Sequence, residues 1–539
     1  MDTRFPARML LAAALASALP AQAQQPPSVR LPALGESAAE EFTPGTERRL
    51  GDQIMAEVRR DPAYYDDPLL LDHIQSIWDP LLAAARSRGN IGADLDTAFA
   101  WESFLVRDRS VNAFALPGGY VGVHLGLIAM TTTSDELASV LSHEMSHVTQ
   151  RHIARSIASS SRQSLVGMAA LLLGILAASR SNNANATEAV IVGSQAAMVQ
   201  GQLNFSRDME READRIGWGV YQQAGFAPVG MATMFERLDH ANRLVDNGSF
   251  PYLRSHPLTV DRIGEARARL DAVAGPVMPL RPTLGHLLMQ ARARVLMEPA
   301  VQSLRRAQAL DINGLTGVER VPALYGSAVA SLELREPMRA QAALDAALAL
   351  AKSSAPEDAR AMLALGLAQA QVWLATGQPA RAQAALDALR SPGAGTNRPL
   401  LLARAQAALD VARAAGGEAD PTLRASTEAL QTWVSEHAGD AAAWSALAQG
   451  ANVLGLKLRA LRAEAEAQAA IGDLNGAIDR LRAAQRQSRA AAGSPDFIEA
   501  SIIDARLRDL AAKRRAQLAE ARGEKGGGRG GGSGDDRTP

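Results

Sequence analysis

Residues 141–147 read Leu-Ser-His-Glu-Met-Ser-His, and the spacing of their polar side chains sets a definite chemistry. On a helix, positions four apart share a face, so His143 and His147 can direct two imidazole nitrogens at one ion. Zinc accepts nitrogen ligands in tetrahedral geometry. Glu144, beside them, is placed to take a proton from a water on that ion. The flanking residues favour the helix. Ser134-Asp135-Glu136 has the character of an N-terminal cap, and Leu137, Val140 and Leu141 supply an apolar stripe.

Such a site needs a third ligand, and Ser206-Arg207-Asp208-Met209-Glu210-Arg211-Glu212-Ala213-Asp214-Arg215 offers three carboxylates at Glu210, Glu212 and Asp214. Helical phase separates them. Glu210 and Asp214 are one turn apart on the same face, whereas Glu212 lies about 200° round from Glu210. Glu210 is therefore expected to be the ligand. Asp214 is expected to hold a ligand histidine by its other nitrogen, and Glu212 to be a solvated charge paired with an arginine. The histidines His73, His124, His152, His240, His286 and His437 are read as packing or surface residues.

Several elements must position these groups. Thr46–Arg60 and Leu69–Ala85 have amphipathic helical patterns, divided by Asp61-Pro62 and Asp66-Asp67-Pro68. Thr97–Arg107 alternates as a strand. Asn112–Val123, with Pro117-Gly118-Gly119 at its centre, reads as two short strands joined by a tight turn. That hairpin is either purely structural or a place where a peptide docks by strand addition. Leu165–Ala178 is an apolar run without charge, too short for an ordinary membrane span. A buried core helix, a lid over the cleft, and a surface in 158–203 that touches a membrane or unfolded protein all fit it.

The chain has 539 residues, a net charge of -1 and no cysteine. Balanced charge argues against nucleic acid as the main partner, and without cysteine no disulfide can staple the fold. Arg4 and Arg8, the apolar run Met9–Leu19 and Ala21-Gln22-Ala23 form a secretory signal with Gln24 as the first mature residue. The expected domains are a signal peptide (1–23), a metal-site domain (24–280), a repeat domain (281–520) and a disordered Gly-rich tail (521–539). Beyond 281 the composition turns to Ala, Leu, Arg and Gln. Pro337-Met338-Arg339-Ala340-Gln341-Ala342-Ala343-Leu344-Asp345-Ala346 recurs as Pro379-Ala380-Arg381-Ala382-Gln383-Ala384-Ala385-Leu386-Asp387-Ala388. Gly377 stands five before Ala382, and Gly472 five before Ala477, the spacing of a tetratricopeptide-like turn and second helix. The fold class is therefore mainly α: an α+β zincin-like domain with a small sheet, then an α-solenoid of helical hairpins.

His143-Glu144-Met145-Ser146-His147 followed by Glu210-Arg211-Glu212-Ala213-Asp214 resembles the gluzincin family that includes HtpX and the CAAX prenyl protease. The hairpin Asn112–Val123 and the stretch Pro251-Tyr252-Leu253-Arg254-Ser255-His256-Pro257-Leu258 resemble its soluble periplasmic, repeat-bearing branch. The resemblance implies a zinc metalloendopeptidase with one zinc ion per chain. His143, His147 and Glu210 would be ligands and Glu144 the general base. His256 would match an extra histidine able to occupy the fourth zinc position, and Arg262 an arginine that follows it. It also implies a soluble periplasmic protein, protease and chaperone at once, in the quality control and assembly of outer-membrane β-barrel proteins. Its partners would be unfolded or stalled β-barrels and their assembly machinery. The physics of His256 leaves two roles open. It can close the zinc's open position, or it can donate a hydrogen bond to the tetrahedral intermediate. A non-proteolytic repeat scaffold with a permanently closed zinc site is the rival reading. Glu144 weighs against it, because a structural zinc has no use for a base.

Overall fold

The computed structural model describes residues 42–159, 206–244, 251–273, 280–309, 314–392, 396–416, 420–490 and 496–521. The expected signal peptide and Gln24, the apolar run 165–178 with the rest of the insertion to 203, and the Gly-rich tail lie outside them.

Proline and short polar caps start the first helices. Helix α1 (Pro44–Val58) is capped by Thr43, whose side chain accepts from the Thr46 amide. After the two-residue strand β1 (Tyr64–Tyr65) comes α2 (Pro68–Ser87). Its cap, Asp67, accepts from the Leu70 amide at 2.9 Å. One stripe of α2, made of Leu70, Ile74, Ile77, Trp78 and Leu81, is fully buried, and Trp78 Nε1 donates to Trp101 O at 2.9 Å. Truncating a buried tryptophan of this kind costs about 3–5 kcal/mol.

The strand expected over 97–107 is only half there. Ala93–Ala98 forms a short helix, α3, with Asp94 and Asp96 in its first turn, and β2 runs from Glu102 to Val106. Acidic residues suit a helix N-terminus, and Trp101, at φ 51°, turns the chain before the strand begins. Strands β3 (Ala113–Leu116) and β4 (Tyr120–His124) form the expected hairpin. Gly118 and Gly119, at φ 78° and 88°, make its turn, a backbone that L side chains adopt only with strain. The sheet order is β1-β2-β4-β3. The β2–β4 pair is parallel and the others antiparallel, which leaves β3 at the edge.

After α4 (Leu125–Met130), the metal-motif helix α5 (Ser134–Thr149) is capped by Thr133, one residue before the expected Ser134. It packs against α2, β3, α7 (Arg207–Gln223) and α8 (Val229–Leu244), which bury it from Glu136 to Thr149. Helix α6 (His152–Ser159) follows it across a sharp turn, and the one-turn α9 (Pro251–Ser255) and α10 (Val260–Asp271) complete this part.

From α11 (Leu284–Leu296) onward the described chain is helical. Helices α12 (Val301–Gln308), α13 (Arg320–Glu333), α14 (Pro337–Ser354), α15 (Ala359–Ala375), α16 (Pro379–Ala388) and α17 (Arg398–Ala415) follow. They continue as α18 (Pro421–Glu436), α19 (Ala441–Val453), α20 (Lys457–Ala470), α21 (Leu474–Ala490) and α22 (Phe497–Ala521). The recurring decapeptides begin α14 and α16. Their small residues Ala340 and Ala382, and Ala477 in α21, are fully buried between helices. The mainly α architecture with one small sheet is as expected. The core does not break at residue 280: one buried cluster runs from Ile54 to Ala407. Three arginines from helices beyond residue 280 bind acids at the start of α2. Arg292 binds Asp67 (2.6 Å), Arg360 binds Asp72 (2.7 Å) and Arg398 binds Asp66 (2.7 Å).

A buried histidine pair lies on the same seam. His73 Nε2 faces His286 Nδ1 at 3.1 Å, and His286 Nε2 donates to Thr131 O at 3.2 Å. This arrangement works with two neutral rings. Burial pushes the His73 pKa well below its ordinary value, and it pulls His286 down to about 4 against the Thr131 carbonyl. Because the folded values are depressed, the unfolded chain binds protons that the fold excludes. The stability this pair contributes is present above about pH 6.5 and is lost as pH falls toward 4. At pH 5 the loss is about 2 kcal/mol for His286, and His73 adds to it in the same direction. The melting temperature should therefore fall between pH 7 and pH 5. The fall should be shallower in His286→Gln, which keeps an amide donor for Thr131 O and does not titrate. An equally steep fall in that variant would place the acid sensitivity elsewhere.

Candidate metal centre

Helix α5 turns both histidines of its motif to one point, with His147 Nε2 and His143 Nε2 3.0 Å apart. Helix α7 crosses α5 closely because Gly217 lies there. A Cβ at that position would sit 3.1 Å from Ser142 O. The crossing carries Glu210 to the same point, with its carboxylate oxygens 3.3 Å from His143 Nε2 and 3.5 Å from His147 Nε2. His256, just after α9, closes the group, with Nδ1 2.9 Å from Glu210 Oε1. The donor atoms of His143, His147, Glu210 and His256 all lie within 4.8 Å of one another, and all four side chains are buried.

The next layer holds these groups. Asp214 Oδ1 accepts from His143 Nδ1 at 2.8 Å. Arg262 grips Asp214 through two hydrogen bonds, at 2.7 and 2.9 Å. It also donates to Pro257 O at 2.9 Å and pairs with Glu210 at 3.0 Å. A two-pronged guanidinium–carboxylate pair is both strong and directional. Glu144 is fully buried with Oε1 3.5 Å from His256 Nε2. No hydrogen bond of ordinary geometry reaches either of its oxygens among the described residues, although the Ala115 amide of the edge strand lies close enough to favour its charge.

The electrostatics favour a cation at this point. Burial alone would push the His143 pKa down, but the Asp214 and Glu210 carboxylates outweigh it and push it up to about 10. Burial would raise Glu210, yet His256 and His143 hold it well below the usual carboxylate range. Asp214 is likewise held at about 2 by Arg262 and His143 against its burial. Glu144 moves the other way. Burial raises its pKa, against the pull of His256 and His143, as suits a group that must take up a proton. Two imidazoles, one carboxylate and a fourth donor around an anionic point fit zinc in both donor type and charge.

Two residues stand differently from the sequence expectation. Glu212 pairs with an arginine as expected, but it is only partly solvated. Its side chain is half-buried, and its Oε2 takes Arg155 NH1 at 2.7 Å and His152 Nε2 at 3.1 Å. His152 is not a mere packing residue, because its Nδ1 meets His147 Nδ1 at 2.9 Å. The signal for it was its position five after His147, which straight helical phase does not place on the site's face. Asn112, ahead of the edge strand, is fully buried, and both side-chain polar atoms lack a hydrogen-bond partner among the described residues.

A two-histidine helix, a carboxylate from a second helix and a glutamate beside them make a donor set able to hold one metal ion. Residues 81–270 match the family model described as Peptidase family M48. The chain is 39% identical over 293 residues to the putative beta-barrel assembly-enhancing protease of Vibrio cholerae, an alignment covering 54% of this chain and 57% of that one. It is 35% identical over 241 residues to the beta-barrel assembly-enhancing protease of Escherichia coli, covering 45% and 47%. It is 29% identical over 197 residues to the mitochondrial metalloendopeptidase OMA1 of Saccharomyces cerevisiae, covering 35% and 53%. The chain thus spans about half the length of these curated relatives.

Three acids of α7, Glu210, Glu212 and Asp214, can be told apart by metal content. Glu210→Ala should purify without zinc, whereas Glu212→Ala should still carry it. Asp214→Ala should bind zinc about 10–100-fold more weakly, the usual effect of losing a partner that orients a ligand histidine. Metal analysis of the three proteins decides, and a zinc-free Glu212→Ala with a loaded Glu210→Ala would reverse the assignment.

Proposed function

We propose that the protein is a zinc-dependent endopeptidase with His143, His147 and Glu210 as its ligands. The observation that carries this reading is Glu144, a buried carboxylate at the cluster whose oxygens meet no hydrogen bond of ordinary geometry among the described residues. When bound, zinc supplies a Lewis acid for the scissile carbonyl and makes a water ligand more acidic. Glu144 takes that water's proton and returns it to the leaving nitrogen. Asp214 and Arg262 keep His143 oriented, so Arg262 acts through its neighbours and not on substrate. An extended peptide would pair with the outer side of the edge strand β3, which joins no further strand among the described residues.

The setting follows the relatives. Two of these relatives are named for enhancing β-barrel assembly, which supports a role in the quality control and assembly of outer-membrane β-barrel proteins in the periplasm. Unfolded or stalled barrels would then be its partners, and the helical repeats the surface that receives them. No helix among the described residues is long and apolar enough to cross a membrane.

His256 fits a latch. It stands among the ligand atoms, and the Tyr252 amide of the same segment donates to Val111 O at 3.4 Å. The segment therefore occupies the end of the strand edge where a docked peptide would bond. The alternative is that His256 stabilises the tetrahedral intermediate, which its 3.5 Å approach to Glu144 also allows.

Two variants test the reading. Glu144→Gln should keep its zinc and fold while casein cleavage falls by about 10²–10⁴-fold. Full proteolysis by the zinc-loaded variant would rule Glu144 out as the base. His256→Ala should keep zinc, cut casein faster than wild type and degrade itself. A fall of about 10²–10³-fold with zinc retained would make His256 a transition-state group instead.

A further inference from the structure

The fully buried His152 lies behind a candidate ligand, where packing alone would favour an apolar side chain. The two motif histidines face one another through Nε2, which leaves their Nδ1 atoms turned away from the metal point. For His143 the outer nitrogen meets Asp214 directly. For His147 it meets His152 Nδ1 at 2.9 Å, and His152 Nε2 meets Glu212 Oε2 at 3.1 Å.

Only one proton arrangement satisfies this row when His147 Nε2 is a ligand. His147 Nδ1 must then carry hydrogen and donate to His152 Nδ1. His152 must in turn carry its hydrogen on Nε2 and donate to Glu212, which Arg155 also holds at 2.7 Å. The direction of donation is fixed at the acceptor end, because an ionised carboxylate has nothing to donate.

The backbone is bent to bring this about. Arg151, at φ 51°, takes a left-handed conformation that a non-glycine residue rarely adopts. Its guanidinium is tied to buried Glu47 at 3.1 Å and to Phe42 O. The turn ends α5 and starts α6 at His152, swinging that ring back against His147 when a continued helix would carry it away. A strained residue held by a buried ion pair next to a site is the kind of expense that a positioning role explains.

We infer that His152 and Glu212 form a positioning relay that holds His147 in its metal-binding tautomer and orientation, the counterpart of the Asp214–Arg262 pair behind His143. Three of the four acids of α7 then serve the site: Glu210 at the ion, Asp214 behind one histidine, and Glu212 behind the other through His152.

This inference rests on the zinc reading, and its test is built to separate the two. The zinc dissociation constant is measured by chelator competition for the full chain and for His152→Leu, His152→Asn, Glu212→Ala and His143→Ala. The melting temperature is measured with and without zinc. His152→Leu should weaken zinc binding about 10–100-fold. His152→Asn, which keeps an acceptor opposite His147 Nδ1, should recover most of it, and Glu212→Ala should weaken binding in the same direction by less. The melting temperature gained on adding zinc should shrink in His152→Leu. Unchanged zinc affinity in both His152→Leu and Glu212→Ala would overturn the relay. So would an equal loss of melting temperature with and without zinc, the mark of a residue that only packs. Undiminished zinc in His143→Ala would strike the metal site itself, and the relay with it.

Discussion

Three carboxylates, three histidines and an arginine are buried together around one point, and a protein interior tolerates such a cluster only if every charge finds a partner. The rest of the fold follows from that constraint. Glu210 and Asp214 are held ionised by the groups they face, and the His143 ring is pushed toward carrying a proton. The field of this pocket therefore favours a cation. Glu144 is the exception, since burial raises its pKa and no hydrogen bond of ordinary geometry reaches its oxygens among the described residues. That contrast divides ligands from base more clearly than position does.

Packing serves the same end. Gly217 lets α7 come close enough to α5 for two acids one turn apart to reach two different shells of the site. Arg262 then links Asp214, Glu210 and the carbonyl of Pro257, so the ligand set and the segment bearing His256 share one clamp. Movement of that segment would loosen the clamp as well as free the metal point. The couplings of this site are thus mechanical as much as electrostatic.

The helices beyond residue 280 share a core with the metal-site part of the chain. Asp66, Asp67 and Asp72 around the start of α2 receive Arg398, Arg292 and Arg360 from three of those helices, and Asp67 also caps α2. Breaking a buried pair such as Asp67–Arg292 costs about 3–5 kcal/mol, because one charge is left without a partner. Helix α2 in turn packs against α5. Helix α2 thus touches both the metal-motif helix and the helices beyond residue 280.

Much of this was legible along the chain. The four-residue spacing of His143 and His147, and of Glu210 and Asp214, is a property of one helix each, so phase alone put them on common faces. The hairpin, the proline-started helices and the small residues between repeat helices are local in the same sense. What the chain could not say involved two elements meeting. Thr97–Arg107 alternates like a strand, yet its first part is helix, because Asp94 and Asp96 favour a helix start and Trp101 turns the backbone. Glu212 looked solvated because its own helix points it away from Glu210, and only the placement of α6 supplies His152 and Arg155 on that side. His152 itself lies five residues after His147, off the site's face on a straight helix. The left-handed turn at Arg151, anchored by Glu47 about a hundred residues earlier in the chain, brings it back. Helical periodicity determines which residues share a face, while which faces meet is decided by close approach and charge pairing across the tertiary fold.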